Sequence, residues 1–432
     1  MKIRFFHGKI LTMEENRPAF DGELHVEDDR ITYVGPGLSA EEISRREPFD
    51  REIDAGGNLL MPGFKNAHTH SGMTFLRSFA DDMPLDEWLN RQVFPMEAKL
   101  DEEKIYWLSM LAFLEYLTSG ITAAFDMYLI PDAVGKAARN FGFRTVLVGA
   151  MNNFCQSPEE EERCYHEWNC PGDLVSYRLG FHAEYTTSRE RMEALAELAH
   201  KFQAPVFAHN SETEKEVREC IGRYGKTPTQ VMEDLGLFDY GGGGYHCVWL
   251  REKDFGIFRK RGLYAVTCPG SNTKLASGIA PVAELLRRGI PVAVGTDGPA
   301  SNNCLDMFRE MFLVTGLAKL RENDASAVPA QKVLRMATVN GARAMGLNDC
   351  VTLTRGQKAD LIMIDRNQPN MRPFSDPEKN LVYSGSKQNV CLTMIDGKIL
   401  YENGRFHTAV DPERIYQQAE KILREVSGRD QN

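Results

Sequence analysis

The amino-acid sequence predicts an α/β fold, a (β/α)8 TIM barrel, carrying a small β-sandwich built from both chain ends. Three observations point there. Short apolar runs, often β-branched, recur through the middle of the chain between segments of helical period, the signature of crossover units and a parallel sheet. Those runs are apolar nearly throughout, as strands buried on both faces are, whereas the two chain ends show alternating runs punctuated by turn residues. The length of 432 residues suits two or three domains at ~150 residues each, or a barrel of ~250 with an attachment.

In chain order, residues 1–58 hold alternating runs at 2–6, 23–26 and 31–34, broken by Asp28-Asp29 and Gly35-Pro36-Gly37, which is a hairpin pattern. Eight barrel strands are expected at 60–66, 121–127, 144–150, 178–183, 204–209, 245–250, 263–267 and 291–296, within a barrel domain of 59–350. An open doubly wound sheet is the competing arrangement. Helical period between the strands is clear at 189–199 and 282–286. The glycines at 241–244 lack a following Lys-Ser/Thr pair, so they read as a flexible entry to the sixth strand and not as a phosphate loop. Residues 351–410 return to alternating runs, at 360–364, 391–395 and 398–401 around the Asp396-Gly397 turn, and complete one sandwich with 1–58. A helix over about 412–426 is expected in the 411–432 tail.

Composition narrows the function classes. Hydrophobic residues at 42% and charged residues at 26% are ordinary for a soluble globular protein. A net charge of −10 argues against a general nucleic-acid binder. No run approaches the ~18 apolar residues of a membrane span, and the first residues lack the apolar stretch of a signal peptide. Nine cysteines, odd in number and without a C-x-x-C pair, read as reduced thiols of a cytoplasmic protein. The expected partner is a small-molecule substrate, with neither nucleic acid nor membrane; homo-oligomerisation is left open.

The chemistry gathers at one end of the expected strands. His68-Thr69-His70 closes the first, and side chains two apart on a strand point the same way, so both imidazoles can reach one ion. His209 ends the fifth strand, four units of roughly 35 residues beyond His70. His246 falls at the sixth strand and Asp297 ends the eighth. Strands one and eight are neighbours in a closed barrel, so these imidazoles and a carboxylate converge on the active-site face. Neutral imidazole and carboxylate suit a borderline divalent ion such as Zn2+, whose bound water falls to a pKa of ~7. Such a nucleophile needs a proton carrier, and Glu212 in His209-Asn210-Ser211-Glu212 is placed for it. The competing role for Glu212 is an acid at the N-terminus of the next helix.

These residues resemble the amidohydrolase superfamily. The match rests on 61–70 (Met-Pro-Gly-Phe-Lys-Asn-Ala-His-Thr-His), His209-x-x-Glu212, His246 and Thr296-Asp297, with Gly356-x-x-Ala359-Asp360-Leu361 opening the C-terminal half of the sandwich. It is nearest the mononuclear deaminase branch, the S-adenosylhomocysteine, methylthioadenosine and 5′-deoxyadenosine deaminases and related chlorohydrolases. The resemblance implies one zinc per chain, or iron, held by His68, His70, His209 and Asp297, with Glu212 as proton shuttle and His246 polarising the attacking water. No lysine matches the carbamylated bridge of the two-metal branch, and Lys65 is expected outside the ligand set. Trp88, Glu97 and His182 are similar to pocket residues of the adenosine-type members, where the acid receives the ribose hydroxyls and the histidine contacts the purine; Glu212 joins them at the substrate. One departure stands out. The S-adenosylhomocysteine deaminases carry arginines whose counterparts here fall near Gly149 and Ser157, leaving only loop arginines such as Arg163 or Arg178 to hold an amino-acid carboxylate.

The implied function is metal-dependent hydrolytic deamination of an amino-purine nucleoside, chiefly a 5′-modified adenosine, to the inosine analogue and ammonia. The alternative on the same fold is a deaminase or dechlorinase of a free amino-heterocycle such as a pterin, oxidised guanine or triazine. A non-catalytic assembly protein is the remote alternative, and would be expected to lack the ligand set.

Overall fold

The computed structural model describes residues 1–79, 81–83 and 87–428. The chain end beyond 428, part of the expected tail, lies outside the described residues.

The N-terminal strands β1 (Lys2–Ile10), β2 (Phe20–Glu27) and β3 (Arg30–Gly35) form an antiparallel meander, with β4 (Arg51–Asp54) and β5 (Leu59–Pro62) laid parallel to β1. At Gly63 the chain leaves this sheet for the barrel. A Cβ there would lie 2.1 Å from Thr122 Cγ2, so only glycine allows the crossing. The run expected as one strand over 60–66 is therefore two, β5 in the sheet and β6 (Phe64–Thr69) in the barrel. Both halves are fully buried, so hydropathy carries no break between them; hydrogen bonding takes the sheet past the expected boundary at 58.

The barrel strands follow in order: β6, β7 (Ile121–Met127), β8 (Arg144–Val148), β9 (Val175–Ala183), β10 (Val206–Asn210), β11 (Gly242–His246), β12 (Tyr264–Thr267) and β13 (Val292–Val294), each parallel to the last. Side-chain and backbone hydrogen bonds close the ring between β13 and β6. Thr296 N donates to Asn66 Oδ1 at 2.8 Å, Asn66 Nδ2 to Thr296 Oγ1 at 2.7 Å, and Asp297 N to His68 O at 3.0 Å. The run of glycines corrects its expected role. Gly242, Gly243 and Gly244 are the body of β11, not a flexible entry to it, and the strand ends at His246 instead of running over 245–250. A Cβ on Gly242 would meet Val206 O at 1.9 Å and one on Gly243 would meet Tyr264 O at 2.4 Å, so close neighbouring strands account for the composition.

Inside the barrel, Phe125, Phe207 and Tyr245 make an aromatic floor, with Phe125 and Phe207 ring centres 4.8 Å apart. Tyr245 stacks on His68 at 3.7 Å and so supports the site from below.

After the barrel, β14 (Leu361–Ile364) pairs antiparallel with β5, and β15 (Val390–Ile395), β16 (Lys398–Glu402) and β17 (Arg405–Phe406) extend the sheet. The two chain ends thus share one sheet with its own core of Ile3, Phe5, Leu24, Val26, Leu361, Leu392 and Met394. Its β15–β16 turn uses positive φ at both Asp396 (52°) and Gly397 (74°), the hairpin geometry that the Asp-Gly pair signals. Arg144 at the base of β8 joins sheet to barrel, gripping Asp360 at 2.6 and 3.0 Å and Asp396 at 2.9 Å. Lys65 sits in this junction, donating to Thr122 Oγ1 at 2.6 Å and lying 3.9 Å from Asp360, away from the histidines. The helix Pro412–Ser427 buries Ile415, Ala419, Ile422 and Val426 against the helix Glu102–Thr118.

Candidate active site

Four barrel strands deliver the expected ligands and His246 to one point. His68 lies in β6 and His70 just past it, His209 lies in β10, His246 ends β11, and Asp297 follows β13. Asp297 and His246 both take left-handed backbone, φ 60° and 66°, which costs on the order of 1 kcal/mol each and turns their side chains inward.

The donor atoms crowd together. His68 Nε2 lies 3.2 Å from His209 Nε2 and 3.6 Å from Asp297 Oδ1, and His70 Nε2 lies 3.2 Å from that same oxygen. The outer nitrogens point away from the centre: His70 Nδ1 donates to Met127 O, and His209 Nδ1 donates to His182 O at 2.8 Å. The Nε2 atoms of His68, His70 and His209 thus face one another and Asp297 Oδ1, an arrangement that offers a shared cation one donor atom from each. Burial holds His68 and His209 well below the usual imidazole pKa. Burial alone would raise Asp297, but the hydrogen bond from His70 and the charge of His246 hold it well below the usual carboxylate range. Burial opposes it, yet the hydrogen bond and charge of Asp297 lift His70 to about 9, so a divalent metal would displace that proton and sit between neutral His68 and His209 and the anionic carboxylate. His246 joins His68 and His209 in a second close group, so it stands at the edge of the same centre.

Glu212 is 7% exposed and accepts from Ser277 Oγ at 3.2 Å, with its other oxygen 3.9 Å from His246 Nε2. Burial raises its pKa. It is not the acid of the following helix. Thr213 caps the helix Glu214–Tyr224 in a box with Glu216, and Glu216 accepts Ser211 N at 2.9 Å and Glu212 N at 2.7 Å. Glu216 fixes that backbone and leaves the Glu212 carboxyl to the cavity.

The cavity beside the cluster holds about 440 Å3 and is lined by Trp88, Glu97, Tyr128, His182, Phe154 and Leu275 among others, together with the histidines, Glu212 and Asp297. Trp88 Nε1 and Glu97 Oε1 are buried there with no hydrogen-bond partner in the protein. Burial pushes Glu97 up to about 7, against the opposing pull of Tyr128 and His70. His182 donates through Nδ1 to Thr186 Oγ1 at 2.8 Å, and burial pushes it down to about 4. The two arginines considered as substitutes are elsewhere. Arg163 pairs with Asp132 and Glu167, and Arg178 bonds Tyr177 O beneath Gly346. Among the described residues no lysine or arginine lines the cavity.

Sequence reasoning missed the residues that hold these groups. Ser271 and Ser301 donate to Asp297 Oδ2 at 2.6 and 2.8 Å, and His246 Nδ1 donates to Asn272 Oδ1 at 2.8 Å. The signal available was a polar stretch, Ser271-Asn272-Thr273, opening directly after the seventh strand on the active-site face.

A parallel eight-stranded barrel with three histidines and an aspartate gathered at the C-terminal mouth defines a metal-dependent barrel hydrolase. The amidohydrolase family model matches residues 59–400, and the chain belongs to the amidohydrolase family. It is 38% identical over 421 residues to a 5-methylthioadenosine/S-adenosylhomocysteine deaminase of Thermoanaerobacter pseudethanolicus, covering 95% of this chain and 96% of that one. It is equally 38% identical to a 5′-deoxyadenosine deaminase of Methanosarcina acetivorans, covering 97% of each. Its fold superimposes with a TM-score of 0.93 on an adenosine deaminase of Xanthomonas campestris with bound zinc, at 30% identity and 99% coverage of each chain. The protein is an enzyme, and no helix among its described residues is long and apolar enough to cross a membrane.

Proposed function

We propose that this protein is a hydrolytic deaminase of adenosine bearing a small uncharged 5′ group, with methylthioadenosine, 5′-deoxyadenosine and adenosine as its substrates and S-adenosylhomocysteine a poor one. One observation carries the reading. A largely apolar cavity next to the metal cluster buries a carboxylate oxygen of Glu97 and the Trp88 N–H with no partner, and a nucleoside's ribose diol satisfies such groups. The names of the relatives support the same class. With no lysine or arginine among the described residues that line the cavity, an amino-acid tail would lose its hydration without return.

His68, His70, His209 and Asp297 would hold one zinc ion per chain, ferrous iron suiting the same donors. When bound, the ion supplies a Lewis acid that draws a nucleophile from water near neutral pH. The protein's own groups handle the protons. Asp297, held anionic, takes the proton of the attacking water. Glu212, lifted by burial, gives its proton to N1 of the adenine, then takes the remaining proton from the hydroxyl now on C6 and passes it to the departing amine, and Asp297 returns the water proton to Glu212. His246, whose protonation Glu212 and Asp297 favour against burial, stabilises charge developing on the attacking oxygen. The C6–N bond breaks, and the inosine analogue and ammonia leave. All nine cysteines are free, which suits a cytoplasmic location.

The test is ammonia release and absorbance change across four nucleosides, with a pterin and a triazine as controls. Deamination of methylthioadenosine, 5′-deoxyadenosine or adenosine, each ahead of S-adenosylhomocysteine in kcat/KM, is expected. Ammonia from a free heterocycle alone would overturn the reading.

A further inference from the structure

Three groups of the proton-handling machinery lean on one short segment. After β12 the chain forms the helix Pro269–Lys274 and runs on to Ser277. Ser271 Oγ donates to Asp297 Oδ2 at 2.6 Å, Asn272 Oδ1 accepts from His246 Nδ1 at 2.8 Å, and Ser277 Oγ donates to Glu212 Oε1 at 3.2 Å. A helix of 6 residues does not hold such aim through its own hydrogen bonds. The anchor is Glu310, fully buried on the helix Met307–Glu322. Its Oε2 accepts Gly270 N at 2.8 Å, and its Oε1 accepts Asn302 Nδ2 at 2.8 Å, which also donates to Thr296 O at 2.7 Å. One carboxyl therefore ties the segment after β12 to the segment after β13, on both sides of Asp297. Gly270 is its complement, since a Cβ there would lie 2.4 Å from Glu310 Oε1.

We propose that Glu310 is a positioning residue: through the segment 269–277 and through Asn302 it sets the aim of Asp297, His246 and Glu212 without touching substrate. Packing alone does not explain it. An apolar side chain of similar volume would fill the space without the desolvation that a buried carboxyl costs. What the carboxyl adds is two acceptors in fixed directions. Glu310→Gln keeps the shape but turns an N–H2 toward one of the two donors, so a space-filling residue would tolerate it and a director would not.

The proposal rests on the metal-dependent deaminase reading, and its test keeps the two apart. Glu310→Gln is compared with wild type for kcat, KM and the rate at which a chelator strips zinc. The expected result is a kcat lower by about tenfold to hundredfold, zinc stripped about tenfold faster, and a KM within about threefold, because Trp88 and Glu97 stand on other elements. Ser271→Ala should then cost a smaller factor in the Glu310→Gln background than in wild type, since the two act on one aim. A lowered melting temperature with kcat and stripping rate within about twofold of wild type would overturn the proposal, as would an equal Ser271→Ala factor in both backgrounds. Should Glu310→Gln yield no folded protein, Gly270→Ala must give the same loss of kcat at unchanged KM, and normal kcat would contradict the assignment. If wild type neither binds zinc nor deaminates, the functional reading has failed. The downfield imidazole N–H resonance of His246 in the metal-free protein then decides about Glu310: shifted or lost in Glu310→Gln supports it, unchanged refutes it.

Discussion

The two ends of the cavity are finished differently. At the histidine end most polar groups are tied down, His70 and His209 to backbone carbonyls, Asp297 to Ser271 and Ser301, His246 to Asn272 and Glu212 to Ser277, while His68 Nδ1 is buried without a partner. At the far end Trp88 Nε1 and Glu97 Oε1 are equally buried and have no partner. A site aimed in advance suits chemistry, because groups that need no reorganisation stabilise the transition state at once. Polar atoms left waiting suit recognition, because only the right ligand repays their burial.

Substitutions at the two ends should therefore fail in different ways. The largest effect belongs to Glu212→Gln, which should keep its metal and lose about 10² to 10⁴ in kcat, measured with elemental analysis on the same sample. Near-normal kcat would return Glu212 to a structural role. Asp297→Asn should differ from it by losing metal as well as turnover. At the other end Glu97→Ala should raise KM for nucleosides by roughly tenfold to hundredfold and leave that for a free base unchanged. Equal effects on both would show that Glu97 does not meet the ribose.

A milder effect follows from the pKa of Glu97, which burial pushes up to about 7. Below that pH the folded enzyme carries the neutral acid, a weaker acceptor for the diol, and above it the carboxylate. Nucleoside KM should therefore fall as pH rises through about 7, and a pH series on Glu97→Ala should lose that limb. The smallest effect is expected at Arg163. Arg163→Ala should leave KM for S-adenosylhomocysteine within about twofold, since its guanidinium is spent on Asp132 and Glu167. A large rise would bring it back to the cavity.

What was legible in the sequence follows the same division. His68, His70, His209, His246 and Asp297 could be placed because a parallel barrel repeats its strands and sets their C-terminal ends on one face. Each of these residues speaks for itself by type and spacing. The groups that aim them do not. Ser271, Asn272 and Glu216 are common polar residues whose meaning comes from a partner distant in the chain or from a cap, and Glu310 looks like any helix glutamate until its burial is seen. The missed sheet change at Gly63 and the misread glycines of β11 have a related cause. In both places close packing, invisible to hydropathy, decides where a strand begins. The terminal sheet was easier, because Asp396-Gly397 carries its turn geometry in its own two residues.

The most direct test of the central claim is metal content joined to turnover. Purified protein, analysed for zinc and iron and assayed on methylthioadenosine, should hold about one ion per chain, lose activity when that ion is stripped, and recover it with one equivalent of zinc. Two ions per chain, or full deamination by metal-free protein, would contradict the account.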